Sequence, residues 1–288
     1  MPELPEVETL ARGLKKYVVG KTIRSVVVYE HKKFKGNPAE LKRFVIGKKI
    51  SSVSRRAKWL VLHLSSKYNF VVHLKMTGQL LYKKTTPKFL GGHTMKKEQI
   101  TIPNTHTRVE FQFTDGSTLY FQDMRKFGYV ELYSDHALEQ YFLEKKLGVE
   151  PLDKRFTFAY FNEQLKRHGS TSIKAVLLNQ SLIAGIGNIY ADDICWLAKV
   201  KPMRTVDNLT TIEQKNIHAA CKTILREAIR LGGTSFSHYY KIDGQLGSYW
   251  EKRKVYGWTG EPCRRCHGRI KKTRCAGRGT HYCTNCQK

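Results

Sequence analysis

The chain has 288 residues, and 51 Lys and Arg against 24 Asp and Glu leave a formal net charge of +27. With 41% hydrophobic and 11% aromatic residues it can bury a core, which excludes a disordered basic tail. Charge of that size repels itself and is relieved by a polyanion, so nucleic acid is the first class of partner and an anionic membrane surface the second. No stretch approaches the ~18 consecutive apolar residues of a membrane span. The opening MPELPEVETL lacks the basic-then-apolar order of a secretory signal. The expected setting is the reducing cytoplasm.

Residues 5–19 are predicted to form an amphipathic helix. Val7, Leu10, Ala11, Leu14 and Val18 share one face, Pro5 sits in the first turn where a missing N–H costs little, and Gly20 can end it. Glu6 and Glu8 suit the positive end of the helix dipole. The periodicity then turns strand-like. TIRSVVVYE, KKISSVSRR, KWLVLHLSS and FVVHLKMTGQLLY are β-branched and aromatic runs between turn formers, and TRVEFQF and STLYFQDM flank the hairpin signal Asp115-Gly116. From about residue 135 the pattern becomes helical: ALEQYFLEKKLG, FAYFNEQLKR, SIKAVLLNQ, NIYADDICWLAK and the long TIEQKNIHAACKTILREAIRLGG. Thr210 with Glu213 predicts a capping box for the last of these, and Gly232-Gly233 its end. Residues 234–248 read as a Gly/Ser/Tyr-rich loop. The expected class is α+β and multidomain, with a β-sandwich and its flanking helix over 1–133, a helical module over 134–248, and a small metal unit over 249–288.

Five of the seven cysteines crowd the end of the chain, and four of them form two CxxC pairs, Cys263 with Cys266 and Cys283 with Cys286. Thiolates at that spacing can close a tetrahedral four-sulfur site, and a closed site has no open position for water, so its zinc is structural. About forty residues cannot bury enough core to fold alone, and metal binding supplies on the order of 10 kcal/mol or more. His267, Cys275 and His281 lie near enough to be substitute ligands, but the symmetry of the pairs favours the four cysteines. Cys195 and Cys221, in predicted helices, read as small buried hydrophobes. Ten Lys and Arg around the pairs, from Lys252 to Arg278, suit phosphates.

The ordered set MPELPEVET, RRAK, HLKMTG, DMRKFG, AGIGNIYADD and CRRC…GRGTHYCTNCQK closely resembles the bacterial formamidopyrimidine-DNA glycosylase family, over essentially the whole chain. The residues themselves support such chemistry. Removal of Met1 would leave Pro2 with a secondary amine able to attack C1′ of a damaged nucleotide, expel the base and form a Schiff base. An α-amino pKa near ~8 leaves a useful free-base fraction at neutral pH. The resemblance implies Pro2 as nucleophile, Glu3 beside it as acid/base partner, and Lys58 approaching the damaged nucleotide and its phosphates. Glu6 reads as a support for the N-terminal segment.

A lesion must leave the duplex to reach such a nucleophile. By resemblance Met76, Arg125 and Phe127 fill the gap, although Met76 and Phe127 read alone would be core residues. A thioether and a ring can wedge between bases, and Arg125 can bond the orphaned base. AGIGNIYADD resembles the family's helix–two-turns–helix element, with Asn188 as its phosphate ligand and Arg278 the matching contact from the zinc hairpin. Lys174 is expected to meet phosphate as well. His106 and His73 could meet the DNA backbone or serve as structural histidines. Two departures stand out: Asp193 replaces the family's glutamate, and Gly169-Ser170 stand where a basic residue is frequent.

The resemblance implies a bifunctional glycosylase/AP lyase that excises oxidised purines from duplex DNA by β,δ-elimination, with one structural zinc. A related enzyme for oxidised pyrimidines is the alternative, and a zinc-hairpin binding protein without the chemistry is the non-enzyme reading. With no heptad or self-complementary apolar stripe, a monomer is expected.

Overall fold

A computed structural model describes residues 1–84, the backbone of 87–88, and residues 102–234 and 247–288. Apart from Thr234, Gly247 and Ser248, the predicted loop at 234–248 lies outside the described residues. Two compact units emerge: Met1–Glu144 with Leu231–Trp250, and Lys145–Arg230 with Glu251–Lys288.

The first unit opens with α1, Leu4–Val18, one residue earlier at each end than predicted. Glu3 and Glu6 form a reciprocal capping box: the Glu3 carboxylate accepts the Glu6 N–H, and the Glu3 N–H donates to Glu6 Oε2 at 2.8 Å. Ten strands follow. They are β1 (Ile23–Val28), β2 (Phe34–Lys35), β3 (Ile50–Arg56), β4 (Trp59–Leu64), β5 (Tyr68–His73), β6 (Gly78–Lys83), β7 (Pro87–Lys88), β8 (Thr107–Phe113), β9 (Thr118–Asp123) and β10 (Tyr129–Ser134). A short helix that the sequence reading left out, α2 at Pro38–Glu40, starts with its own capping box between Asn37 and Glu40 and runs into a π-helical turn at Leu41–Val45.

One sheet orders β1-β8-β9-β6-β7 and the other β2-β10-β5-β4-β3. Every pairing is antiparallel except β2 with β10. The two sheets face each other across one core. Leu60, Leu62, Phe70 and Val72 of one meet Leu80, Val109, Phe111 and Phe121 of the other, and Leu10, Leu14 and Val18 of α1 complete it. The two-residue period of a strand shows plainly in β4: Leu60, Leu62 and Leu64 face this core, while Val61 points the other way, into a cluster with Val71 and Tyr141. Tyr141 belongs to α3, Asp135–Glu144, which covers that outer face. The expected sandwich with a flanking helix is therefore present. The run FVVHLKMTGQLLY, read as one extended stretch, is β5 and β6, which lie in different sheets and are separated by a turn at Leu74–Thr77.

In the second unit, α4 (Phe158–Lys166), α5 (Ile173–Leu178), α6 (Asn188–Leu197) and α7 (Thr211–Arg230) match the predicted helices. Ile217, Ala220, Cys221, Ile224, Leu225 and Ala228 form the buried stripe of α7 at three- and four-residue spacing. The predicted capping box holds its start, with the Thr210 N–H donating to Glu213 Oε2 at 2.8 Å and the Glu213 N–H to Thr210 Oγ1 at 3.2 Å. The short α8, Tyr249–Lys252, is followed by a hairpin of β11 (Ile270–Cys275) and β12 (Arg278–Cys283) that packs on α6. Cys195 and Cys221 are buried as expected, and burial raises both thiols. No helix among the described residues is long and apolar enough to cross a membrane.

Candidate active site and nucleic-acid interface

Pro2 and Glu3 are buried at the start of α1, which packs on β3 and β4. The two-residue turn between those strands is Ala57-Lys58, with Ala57 at a left-handed φ of 49° and Lys58 only 5% exposed. Arg55 fixes the turn by donating to the Ala57 carbonyl at 3.0 Å and to Glu8 Oε2 on α1 at 2.9 Å. Burial opposes the Glu8 charge, but its bonds to Arg55 and Arg12 prevail and hold the carboxyl below its ordinary value. Helix and turn are thus tied by a charge-assisted bond, and the three proposed catalytic side chains belong to one unit.

Glu6 is the support that its position suggested. Besides the Glu3 N–H, it accepts the Thr234 N–H at 2.7 Å and the Thr234 hydroxyl at 3.0 Å on Oε1, tying residue 234 to the N-terminal segment. Glu6→Ala leaves two buried N–H groups unanswered. It is expected to cost about 1–3 kcal/mol and to speed amide exchange at Thr234 while the β3 amides stay protected. Unchanged exchange at Thr234 would count against this latch.

Met76 is 40% exposed and Phe127 51%, and Arg125 is exposed beside them with its guanidinium carbon 4.9 Å from the Phe127 ring centroid. Exposed apolar tips of this kind are not core residues, the alternative that Met76 and Phe127 left open. Met124, 56% exposed, extends the same turn, and the sequence reading passed over it. Fully buried Asp123 organises both turns. It accepts the Thr77 hydroxyl, the Arg125 N–H at 3.2 Å and the Gly128 N–H at 2.6 Å, while its carbonyl accepts Arg108 Nε and Nη2 at 3.0 and 2.8 Å. A Cβ on Gly128 would lie 2.8 Å from the Phe121 ring and 3.0 Å from Asp123 Oδ2, so this close turn requires glycine. The signal available in the sequence was an aspartate at the end of the strand TLYFQD, just before the turn at 124–127. His106 is half-buried, its N–H bonded to Asn104 Oδ1 and its carbonyl accepting the Asp123 N–H. His73 is buried, and its Nδ1 accepts the Lys75 N–H at 2.9 Å.

In the second unit, α5 and α6 are joined by two successive turns from Asn179 to Gly187. Gln180 clamps them by accepting the Gly185 N–H at 2.9 Å and donating to the Ile186 carbonyl at 2.8 Å. Asn188 opens α6 and donates Nδ2 to the Gly279 carbonyl at 3.0 Å; its Oδ1 is buried and has no partner among the described residues. Exposed Arg278 precedes Gly279 at the tip of the β11–β12 hairpin, so Asn188 and that tip are brought together.

Lys174 requires a correction. It is 0% exposed, with Nζ at 2.6 Å from Asp192 Oδ1, 2.8 Å from Thr280 Oγ1 and 3.3 Å from the Gly279 carbonyl. Its neighbours Ile173, Val176 and Leu177 put it on the buried face of α5, where a charge persists only if paired. All three ammonium donors are engaged within the protein, so Lys174 holds the hairpin against α6 rather than meeting phosphate. Asp192 adds the His281 N–H at 2.8 Å on its other oxygen. Asp193 accepts the Val255 and Lys254 N–H groups at 3.0 Å each, giving the shorter acid its own backbone partners. The glycine at 169 also has a local cause: Asp207 donates its N–H to the Gly169 carbonyl, and a Cβ there would sit 2.1 Å from Asp207 Oδ1.

The sulfurs of Cys263, Cys266, Cys283 and Cys286 all lie within 4.8 Å of one another. Zinc–sulfur bonds of about 2.3 Å set a tetrahedral edge of about 3.8 Å. The Cys263–Cys286 separation is 3.8 Å and Cys266–Cys283 3.5 Å, so the site fits zinc. Burial opposes ionisation of Cys263, but N–H donors from Trp196, Arg265 and Cys266 bring its thiol down to about 6. Cys286, buried among the other sulfurs, is pushed up to about 12. A dication removes that conflict. Of the substitute ligands, His281 faces Asp192 and Cys275 faces Ser172, while His267 is exposed.

A β-sandwich, a helix–two-turns–helix element and a four-cysteine zinc finger define the class, a DNA-repair glycosylase fold. Residues 1–130 match the formamidopyrimidine-DNA glycosylase N-terminal domain, 147–239 the formamidopyrimidine-DNA glycosylase H2TH domain, and 260–288 the zinc finger found in FPG and IleRS. A formamidopyrimidine-DNA glycosylase of Exiguobacterium is 40% identical over 289 residues, covering 100% of both chains. Two structures of the Lactococcus lactis Fpg, one with N7-benzyl-Fapy-dG DNA and one with oxidised-pyrimidine DNA, are each 36% identical at a TM-score of 0.85, again over 100% of both chains. This chain belongs to the formamidopyrimidine-DNA glycosylase family.

Proposed function

We propose that Pro2, freed of Met1, is the nucleophile with which this DNA glycosylase and AP lyase excises oxidised purines, 8-oxoguanine and formamidopyrimidines, from damaged duplex DNA. The observation that carries the reading is family identity over the full length together with Pro2-Glu3 at the cap of α1, in one unit with Lys58. Attack of the proline nitrogen on C1′ expels the base, and opening of the C1′–O4′ bond with a proton to O4′ leaves an iminium, which acidifies the C2′ proton so that β- and then δ-elimination cleave the strand. Glu3 exchanges protons with the sugar, and Lys58 assists at the phosphates. Met76, Arg125 and Phe127 fill the space left by the flipped nucleotide. Asn188, Arg278 and His106 contact the backbone. The enzyme acts as a monomer in the bacterial cytoplasm.

Borohydride trapping of Met-processed protein tests this on duplexes carrying 8-oxoguanine opposite cytosine or an oxidised pyrimidine, with Pro2→Gly in parallel. A covalent adduct on the purine lesion, lost or much reduced in the variant, is expected. The Lactococcus lactis relative solved with oxidised-pyrimidine DNA gives the second reading its ground. An adduct only on the pyrimidine lesion would move the chain to that specificity, and tight binding without any adduct would remove the chemistry altogether.

A further inference from the structure

The zinc finger is wired to α6 through one side chain that has no place in the ligand set. Near the end of α6 the Trp196 indole Nε1 lies 3.2 Å from Cys263 Sγ, in a cluster with Val255, Ile270 and Cys283. We propose that this N–H is an outer-shell donor to the Cys263 thiolate, so that α6 helps to retain the zinc ion through its ligand.

Four thiolates around a dication leave two excess negative charges, and two of the sulfurs, on Cys263 and Cys283, belong to fully buried residues of an apolar cluster. N–H donors that withdraw charge from sulfur and fix its direction are the usual remedy. Trp196 is held for this task. The Arg265 guanidinium carbon lies over its ring, 3.8 Å from the centroid, with Nη2 on the Leu197 carbonyl at 3.4 Å and Nη1 3.8 Å from Cys286 Sγ. The Arg265 backbone N–H gives Cys263 a second donor at 3.5 Å. Ring, guanidinium and sulfur therefore lock one another.

The same cluster contains a matched contrast. Trp258 also packs there and also carries arginines on its ring, Arg253 at 4.3 Å and Arg264 at 4.9 Å. Its indole nitrogen, however, is buried with no partner among the described residues. Trp196 and Trp258 thus share apolar packing and cation–π stacking and differ in the N–H bond to sulfur.

The experiment is zinc transfer from the full-length, zinc-loaded protein to a chromogenic chelator, with and without hydrogen peroxide, for the wild type, Trp196→Phe and Trp258→Phe. Trp196→Phe should release zinc about 10–100-fold faster, the usual cost of losing an outer-shell partner, while Trp258→Phe should match the wild type. Equal acceleration in both variants would assign the effect to packing and overturn the proposal, as would no acceleration in either. Should Trp196→Phe fail to fold, wild-type protein loaded with an NMR-active cadmium isotope supplies the answer. A scalar coupling between cadmium and the Trp196 indole N–H, absent for Trp258, is expected, and its absence at Trp196 would sink the idea.

Discussion

Stripping the zinc, or replacing Cys283 by serine, is expected to unfold residues 260–288 while the sandwich strands remain protected. The apolar cluster beneath the hairpin has five buried members, Trp196, Val255, Cys263, Ile270 and Cys283, and two of these are ligands. So small a core cannot offset the entropy of ordering the hairpin, whereas a structural zinc contributes on the order of 10 kcal/mol or more. Hydrogen exchange should show amides of β11 and β12 losing protection and those of β4 and β5 keeping it. Protons compete with the metal for the thiolates, so the same loss should appear as pH falls and be reversed by added zinc at neutral pH. DNA binding should weaken along with it. The Asn188 amide loses the Gly279 carbonyl that orients it and Arg278 loses its strand, so the phosphate contact proposed for Arg278 should go, lowering the salt slope of log K by about 0.9. A zinc-free protein whose hairpin amides stayed protected would contradict this account.

Much of this arrangement was legible in the sequence because it depends on local pattern. The α1 face, the Thr210–Glu213 cap and the cysteine spacing are signals confined to a few residues, and each reappears in the structure. What escaped depends on partners far apart in the chain. FVVHLKMTGQLLY is apolar on both sides of its turn, so nothing in its period indicates that β5 and β6 join different sheets; Thr77-Gly78 was the only break. Tyr129–Ser134, which runs directly into α3 at Asp135, carries no Gly or Pro at its far end to mark it as a separate strand. Trp196 reads as one more apolar residue of a helix, and only the fold places its N–H on a sulfur 67 residues away. Exposure was equally invisible: Phe127 and Phe121 are alike in sequence, yet one projects from a turn fixed by Asp123 and the other fills the core.

Lys174 is the sharpest case, and it makes the second large prediction. A lysine in SIKAVLL reads as a surface cation, since Asp192 lies 18 residues on and Thr280 more than a hundred. As a phosphate contact, its replacement would leave stability unchanged and reduce the salt slope of DNA binding by about 0.9. As half of a fully buried ion pair, Lys174→Met strands the Asp192 carboxylate away from water, and unfolding should become easier by about 3–5 kcal/mol. The salt slope, measured where the variant is folded, should then stay at the wild-type value. Adding Asp192→Asn to Lys174→Met should recover much of the lost stability, because a neutral amide can still accept the His281 N–H while no charge is left unpaired. Denaturant melts of the two single variants and the double variant measure the coupling directly. A shallower salt slope with an unchanged melt would return Lys174 to the DNA surface, and strict additivity of the two substitutions would deny that the pair acts as a unit.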